Sequence, residues 1–444
     1  MRRILMIAIA LGLCTRTASA EEQKTLAECI AVAIAQHPSL KAADASIEAG
    51  HQRVREAASD YLPNVAGTYA FDRKNTNPGA SGLGIQSSPN PTPNATPGSF
   101  SVGGGSQTFN FSKASLSFSQ LLFDFGQALN KIRSAQALQQ SLQADRSTQQ
   151  DTVILGVKQA YFNLLATRRL LAVADETVRQ NQKHLDQAQA RFDVGLAAKF
   201  DVTQAQVQLA QAELNQVTAR NNVAVARETL RNALGLTGPL DFDIVDNFDV
   251  HAVQIGEDQA LATAYDKRPD LQSIHSQERA TSEQVAALEK NYLPNLRGNG
   301  TYYWTGSDYP QQPNWDVGAV LNVPIFTGGL TTAQVGEQKA NLANLKFNEE
   351  VLRQNIALEV RQDVLNLQQA AESIRVSEKG LQLARENLEL AEGRYNTGVG
   401  NIIELTDAQA SRTTAEANYV QALYNYKTAL AALEKATAQP LATD

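Results

Sequence analysis

The stretch Arg191-Phe-Asp-Val-Gly195 recurs as Arg394-Tyr-Asn-Thr-Gly398, 203 residues later. Closer to the amino terminus, Tyr61-Leu-Pro-Asn64 recurs as Tyr292-Leu-Pro-Asn295, at an offset of 231 residues. A repeat of this length is a duplicated subdomain, because solenoid units span only about 20–50 residues. The difference between the two offsets predicts a single indel of 28 residues between these motifs.

The repeat divides the chain into two parts that follow an export signal. Residues 1–20 combine a basic start, an apolar core and the small-residue site Ala18-Ser-Ala20, as in a cleaved secretory signal peptide. Lipidation of Cys14 is the alternative, although Leu13 fits poorly in front of a lipidated cysteine. We place the first repeat at residues 21–256 and the second at residues 257–444.

Composition argues against several classes of protein. The formal net charge is −7 and becomes −10 when the three arginines of the signal are removed, which disfavours nucleic acid as a partner. The mature chain retains only Cys29 and no methionine, so intrachain disulfides and most thiolate metal sites are excluded. The five histidines lack metal-ligand spacing, and no nucleophile or phosphate-binding motif occurs. We expect no catalytic residue, no cofactor and no metal site.

Very long helices are predicted in both repeats. Proline is absent between Gly98 and Gly238 and again between Ile325 and Gln439. A helix from Gln127 to Val194 is roughly 100 Å long, too long for a globular domain. Beyond each glycine turn, alanine recurs at every seventh position: 205, 212, 219, 226 and 233, then 408, 415, 422, 429 and 436. Such a heptad predicts helices that coil closely around partners.

Strand-like segments occur in pairs, one pair in each repeat. The best alternation is that of Trp315, Val317, Ala319 and Leu321. In the first repeat the apolar phase changes between Phe111 and Leu116, which predicts a β-bulge near Lys113. The strands are joined by a Pro/Gly/Ser/Asn-rich loop at about 75–107 in the first repeat and by a short turn at 305–314 in the second. These loops account for the indel.

Four strands cannot form a closed sheet by themselves. A sheet in lipid must close, and single-chain barrels need at least about eight strands, so a membrane-spanning sheet here requires several copies of the chain. Aromatic residues at strand ends suit a membrane interface, although they also occur in soluble sheets. These residues are Tyr61, Tyr302, Trp304 and Trp315.

These residues give the chain a specific family likeness. The signal peptide, the duplicated plan, the Tyr61–Asn64 motif and the stretches Asp193-Val-Gly-Leu196 and Val217-Thr-Ala-Arg-Asn-Asn222 resemble the TolC family of outer-membrane efflux channels. The resemblance covers essentially the whole mature chain. It implies a mainly α fold with a small β part: elongated antiparallel coiled-coil helices form an α-barrel, and four strands per protomer contribute to a trimeric, twelve-stranded transmembrane β-barrel.

The resemblance also implies a location, partners and a function. A homotrimer lies in outer-membrane lipid, with its helical tunnel in the periplasm, and contacts a periplasmic adaptor protein and an inner-membrane transporter. It is the exit duct of a tripartite efflux pump or a type I secretion system. The alternatives are a soluble periplasmic coiled-coil or adaptor protein and a passive porin. The resemblance does not identify the transported substrate.

The glycine turns are the first candidate functional site. They join long antiparallel helices, and glycine at such a position also serves as an ordinary helix C-cap. By resemblance, the tips dock the hairpins of the adaptor. The residues concerned are Val194, Gly195, Leu196, Thr397, Gly398 and Val399.

Acidic residues near the tips form the second candidate site. Glu404 and Asp407 share a helix face, and acids at a helix start also interact favourably with the helix dipole. By resemblance, Asp201, Tyr395, Glu404 and Asp407 line the periplasmic entrance and hold it shut. The family's gate arginine is replaced here by Gly400, and Lys199 is the candidate for the missing cation.

Overall fold

The structure, a computed structural model, describes residues 22–76, 107–246, 255–306 and 311–441. The predicted signal peptide with Cys14, and residues 77–106 of the predicted first loop, lie outside the described residues.

The helices of the described ranges repeat the same plan twice. The lengths in the first repeat are 11, 21, 67 and 35 residues, and those in the second are 11, 21, 67 and 36. The bounds are α1 Leu26–Gln36, α2 Pro38–Ala58, α3 Gln127–Asp193, α4 Lys199–Ala233, α5 Glu257–Lys267, α6 Pro269–Glu289, α7 Leu330–Asn396 and α8 Ile402–Thr437. The prediction of a mainly α fold with very long helices is confirmed. None of these helices combines the length and apolarity needed to cross a bilayer.

The strands form two sheets. Their bounds are β1 Glu22–Lys24, β2 Asn64–Thr76, β3 Gln107–Phe123, β4 Phe242–Ile244, β5 Asn295–Gly306 and β6 Gln312–Asn322. Strands β1 and β4 pair in parallel, and the other four form an antiparallel sheet in the order β2-β3-β5-β6. The described chain divides into two compact units, and each unit takes segments from both repeats.

The first unit contains most of the long helices and a core built from their inner faces. On α3, Val153, Val157 and Leu164 are buried at helical spacing, as expected of an amphipathic helix. They belong to one hydrophobic cluster with Leu230 of α4, while Ile356 of α7 belongs to a second cluster. The ten heptad alanines of α4 and α8 are all buried or half-buried, so the alanine seam faces the packed side of these helices.

A network of charged side chains lies in the same unit. Arg268, whose side chain is 8% exposed, contacts Asp270 at 2.7 Å and Glu359 at 2.5 Å. Lys435 reaches the same Glu359 carboxylate at 2.7 Å. Burial raises the pKa of the neighbouring Asp363 to about 6, and Glu359 adds to the shift while Lys435 and Arg268 oppose it.

Replacement of Asp363 by asparagine is expected to stabilise the protein at pH 8. The folded-state pKa of Asp363 lies above its ordinary value, so the folded chain binds this proton more tightly and gains stability as pH falls from about 6 towards 3.8. Asparagine resembles the protonated acid at every pH. Thermal unfolding from pH 4 to pH 8 should show a higher Tm at pH 8 and a flatter pH profile. Exposed Asp266→Asn is the control, and equal profiles for both variants contradict the prediction.

The second unit contains the four-stranded sheet, whose two faces differ in polarity. Cross-strand partners Tyr302 and Trp315 lie on one face, and partners Thr301 and Asp316 lie on the other. The first face is apolar and open. Its residues with large exposed fractions are Val65 (60%), Tyr69 (71%), Phe71 (62%), Leu116 (51%), Trp315 (72%), Val317 (79%) and Leu321 (62%). The sheet therefore presents an apolar surface that the second unit does not cover.

Two details of the strands differ from the sequence prediction. The predicted bulge near Lys113 is wrong, because pairing continues unbroken through Ala70 and Lys113. The register shift lies instead between Leu121 and Phe123, where β3 pairs with β5. The predicted turn at 305–314 is too long, since β5 runs to Gly306 and β6 begins at Gln312.

Candidate entrance site at the helix tips

Each pair of long helices ends in a tight glycine turn. Gly195 has φ 75° and Gly398 has φ 76°, a left-handed conformation that glycine adopts without the penalty of a side chain. The chain then reverses with the Leu196 amide bonded to the Arg191 carbonyl at 2.8 Å. In the second repeat the Val399 amide bonds to the Arg394 carbonyl at 3.0 Å. The two turns thus have matching closing bonds.

The predicted docking residues at these turns are exposed. The exposed fractions are 69% for Val194, 80% for Leu196 and 71% for Val399. Thr397 differs, since its hydroxyl donates to the Gly393 carbonyl at 3.1 Å and helps to close the helix end. Each turn therefore presents aliphatic side chains to solvent.

Two of the candidate acids, Asp201 and Glu404, lie in the first turns of α4 and α8. The Asn401 side chain caps α8 by accepting a hydrogen bond of 2.8 Å from the Glu404 amide. The Glu404 carboxylate pairs with Arg394 at 3.3 Å, within the same hairpin. Asp407 is exposed one turn further along, and Asp201 is half-buried at the corresponding end of α4.

Tyr395 is the point where the two hairpins come together. Its side chain is 4% exposed, and the Arg191 guanidinium lies 4.4 Å from its ring centroid. Arg191 also donates a hydrogen bond of 3.1 Å to the Asn396 carbonyl. Burial raises the pKa of the Tyr395 phenol, and Asp201 acts in the same direction while Arg191 opposes it. The phenol therefore stays protonated at neutral pH.

The cation next to Tyr395 differs from the one suggested by the sequence. Lys199 lies on its own hairpin, with its Nζ 5.7 Å from the Phe192 ring centroid. Gly400 has no side chain, and a Cβ there would lie in tight contact with the Arg394 Cβ, at 3.0 Å. The structure thus brings Tyr395 near Asp201 and Arg191 and pairs Glu404 with Arg394.

Sequence reasoning missed both arginines as site residues. Arg191 and Arg394 open the two copies of the repeat motif, and their equivalence was visible. What the motif did not contain is the direction of each side chain.

An apolar stripe runs along the exposed side of α7. Its members recur at intervals of four, seven or eleven residues, which keeps them within about 60° of one another on a helix with 100° per residue. They are Phe347, Val351, Leu358, Leu365, Val376, Leu383 and Leu390, each more than half exposed. On α4, Val207, Leu214 and Val225 form a shorter exposed stripe of the same kind. The heptad positions in the sequence indicate the alanine seam, and this outer stripe is a separate feature.

The aromatic residues predicted to lie at the membrane interface cluster at one end of the strand pair β5–β6. The rings of Tyr302 and Trp304 meet edge to face, with centroids 4.7 Å apart. Trp315 is the direct cross-strand partner of Tyr302. Within the described ranges, no group of three or more His, Cys, Asp or Glu residues is placed to hold a metal ion.

The family model and the relatives similar to this chain agree on one protein family. The family model "Outer membrane efflux protein" matches residues 29–236 and 260–439. The outer membrane protein TolC of Escherichia coli K12 is 27% identical, over 96% of this chain and 84% of that protein. The outer membrane efflux protein BepC of Brucella suis is 23% identical, over 98% and 90%.

Solved structures share the fold. The CmeC outer membrane channel of Campylobacter jejuni superimposes with a TM-score of 0.78 at 19% identity, covering 94% of this chain and 87% of that chain. The family match extends over both repeats and includes the helix tips and both strand pairs. The chain therefore belongs to the outer membrane efflux protein family.

Proposed function

We propose that this protein is the outer-membrane exit duct of a tripartite efflux pump or a type I secretion system. Three copies form the duct: their strands lie in the outer membrane and their long helices form a tunnel in the periplasm. The observation that carries the proposal is the uncovered apolar face of the four-stranded sheet in a chain of this family. Large exposed apolar patches mark membrane or protein contacts.

Closure of the sheet explains why three copies are needed. Strands β2 and β6 are the edges of the four-stranded sheet, and each has unpaired backbone groups on one side. Such groups are costly in lipid, so the edges must pair with those of other copies. Three chains supply twelve strands, an even number within the range of outer-membrane barrels.

The exposed stripes on the helices support contacts between copies. Leu358 and Leu365 on α7, and Leu214 on α4, are apolar at heptad spacing and face away from the core of their own chain. Exposure of an apolar stripe to water is unfavourable. A neighbouring helix with a similar stripe can pack against it, which removes both stripes from water. We assign these stripes to the interfaces of the homotrimer.

The tips are the periplasmic entrance in this proposal. Val194, Leu196 and Val399 offer aliphatic side chains to the hairpins of a periplasmic adaptor, which joins the duct to an inner-membrane transporter. Asp201, Glu404 and Asp407 each occur three times around the trimer axis, which gives the entrance rings of negative charge. Tyr302, Trp304 and Trp315 lie at the lipid interface.

Two other functions fit the molecule less well. A soluble periplasmic rod or adaptor leaves the apolar sheet face in water. A passive porin does not need helices of 67 residues. The family consists of channel proteins. Within the described ranges, no group of residues suggests an enzyme.

The proposal is tested by expressing the full chain in a Gram-negative host and separating the membranes. We expect a heat-modifiable trimer in the outer-membrane fraction, and chemical crosslinking in cells should recover a periplasmic adaptor and an inner-membrane transporter. Identification of that transporter also distinguishes efflux from secretion. A monomer in the soluble periplasmic fraction overturns the proposal.

A further inference from the structure

A strained residue lies at the junction between strand β3 and helix α3. Phe125 has φ 56°, in the left-handed region that a bulky side chain rarely adopts. Its repeat equivalent, 203 residues later, is Gly328 with φ 64°, and glycine adopts this conformation without steric cost. The first repeat therefore keeps an aromatic ring at a position where the backbone favours glycine. Strain that persists in this way motivates a search for a role of the ring outside the turn.

A buried acid holds the turn in place. The Asp124 carboxylate accepts hydrogen bonds from the Gly126 amide at 3.0 Å and from the Ala128 amide at 2.7 Å. Asp124 is buried, and its two bonds satisfy amides at the start of α3. These bonds do not involve the side chain of Phe125. The ring is therefore not what closes the turn.

The register shift at the end of β3 redirects the side chains that precede the turn. Ser117 lies on the polar face of the sheet, because it is the direct partner of Thr301. Side chains alternate along a regular strand, so position 123 would also belong to the polar face. Beyond the shift, however, Phe123 pairs with Leu296, which shares the apolar face with Tyr302 on β5. The bulge thus moves Phe123 onto the apolar face.

The bulge and the strained turn together place three apolar side chains in one row. Leu122 leans over Gly298, where a Cβ would lie 3.4 Å from the Leu122 Cδ1. The rings of Phe123 and Phe125 meet edge to face, with centroids 4.7 Å apart. The exposed fractions are 55% for Leu122, 54% for Phe123 and 45% for Phe125. Two unusual backbone features therefore extend the apolar face beyond the end of β3.

Lipid is the partner that fits this row. Strand β3 is paired on both sides, with β2 and β5, so a strand of another copy has no free edge of β3 to pair with. The row also continues the apolar face that the proposed function assigns to the membrane.

The height of the apolar face agrees with that of a membrane barrel. The step from Leu296, the partner of Phe123, to Trp304 on β5 is about 26 Å at ~3.3 Å per residue. A strand tilt of about 40° reduces this length to a height of about 20 Å. The ring of Phe125 extends the face further, towards the apolar band of about 25 Å that outer-membrane barrels present to lipid.

We propose that Phe123 and Phe125 form an aromatic anchor in the lipid interface on the periplasmic side of the outer membrane. This inference rests on the proposed function as a duct, in which α3 enters the periplasm from Gln127 onwards. Aromatic rings are favoured at the headgroup level of both interfaces. Tyr302 and Trp304 lie at the other end of the sheet. The anchor sets the depth at which the strands end and the tunnel begins.

The experiment measures the surroundings of nitroxide labels on the full-length trimer in vesicles of phosphatidylethanolamine and phosphatidylglycerol. Labels are attached to Phe123→Cys and Phe125→Cys, with Val317→Cys as the lipid-facing control and Leu196→Cys as the control in water. The natural Cys29 does not compete for the label, since it is fully buried and burial raises the pKa of its thiol to about 11. Collisions with oxygen report lipid, and collisions with a nickel chelate report water.

We expect the oxygen-to-nickel ratio at positions 123 and 125 to exceed that at position 196 at least about fivefold and to approach that at position 317. Ratios equal to that at position 196 overturn the anchor. Labels shielded from both reagents also overturn it, because protein then covers the row. A label at position 317 that reports water overturns the proposed function instead. The heat-modifiable band checks assembly, and Leu122→Cys replaces a variant that does not form the trimer.

Removal of the ring separates lipid contact from a role in the protein's own packing. In detergent solution without lipid, Phe125→Gly should raise the temperature at which the trimer band dissociates by about 2 °C or more, since glycine relieves the strain. The matched variant Gly328→Phe introduces the same strain in the second repeat and should lower that temperature. A lower temperature for Phe125→Gly shows that the ring stabilises the protein itself, and this result overturns the anchor.

Discussion

Replacement of both Leu358 and Leu365 by glutamate is expected to abolish the trimer. Both residues lie at the centre of the exposed apolar stripe of α7, with exposed fractions of 56% and 62%. Burial of a leucine side chain contributes about 1.5–3 kcal/mol. Loss of two leucines at each interface therefore weakens association by about 3–6 kcal/mol, which raises the dissociation constant of that interface by a factor of ~100 or more. Burial of a carboxylate at the interface adds a further penalty, since the charged group loses its contact with water.

The measurement is the mass of the detergent-solubilised protein by light scattering, together with the heat-modifiable band on gels. The matched control is Asn366→Glu with Gln368→Glu, since both positions are exposed on the same helix. They lie about 80° to either side of Leu358 at 100° per residue, outside the stripe. Both variants add the same charge. A trimer that survives in the stripe variant, or is lost equally in the control, contradicts the assignment of the stripe to the interface.

The helical part of the fold could be predicted because its signals are local. Proline cannot occupy a helix interior without breaking a hydrogen bond, so a long proline-free segment bounded by glycine defines each long helix closely. The sequence suggested a helix from Gln127 to Val194, and α3 ends at Asp193. The glycine turns were predicted for the same reason, since a left-handed residue at a helix end strongly favours glycine.

The strand details could not be predicted equally well, because strand register depends on the partner strand. Alternation of Phe111 and Leu116 suggested a bulge, yet these residues simply lie on opposite faces of one continuous strand. The irregularity at Leu121 and Phe123 arises against β5, which is distant in the sequence. The sequence of β3 alone does not contain its register against β5.

The candidate site was only partly predictable for a related reason. The acids Asp201 and Glu404 could be placed from the repeat, but the partner of Arg191 could not. Equivalent residues in a duplicated sequence predict equivalent backbone positions. Whether an arginine folds back on its own hairpin or crosses to the next depends on tertiary packing, and here on the burial of Tyr395.

Neutralisation of Asp407 is expected to give the second large effect, on block of the channel by trivalent cations. In the proposed trimer Asp407 forms a ring of three carboxylates at the entrance. A trivalent cation at about 6 Å from each carboxylate gains about 2 kcal/mol per contact in water before screening. After screening by salt, on the order of 3 kcal/mol remains for the ring, which corresponds to ~100-fold in affinity. Asp407→Asn should therefore weaken block by La³⁺ about 100-fold.

Glu404→Gln is the matched variant, and the structure predicts a smaller effect for it. The Glu404 carboxylate is already paired with Arg394 at 3.3 Å, so its charge is partly compensated before a cation arrives. Asp407 is exposed on the same helix, three residues further along. Titration of La³⁺ block in planar bilayers, with reversal potentials in a salt gradient, measures both variants. Cation preference in the natural channel and a much weaker block in Asp407→Asn than in Glu404→Gln support the acidic entrance, whereas anion preference or equal effects of the two variants contradict it.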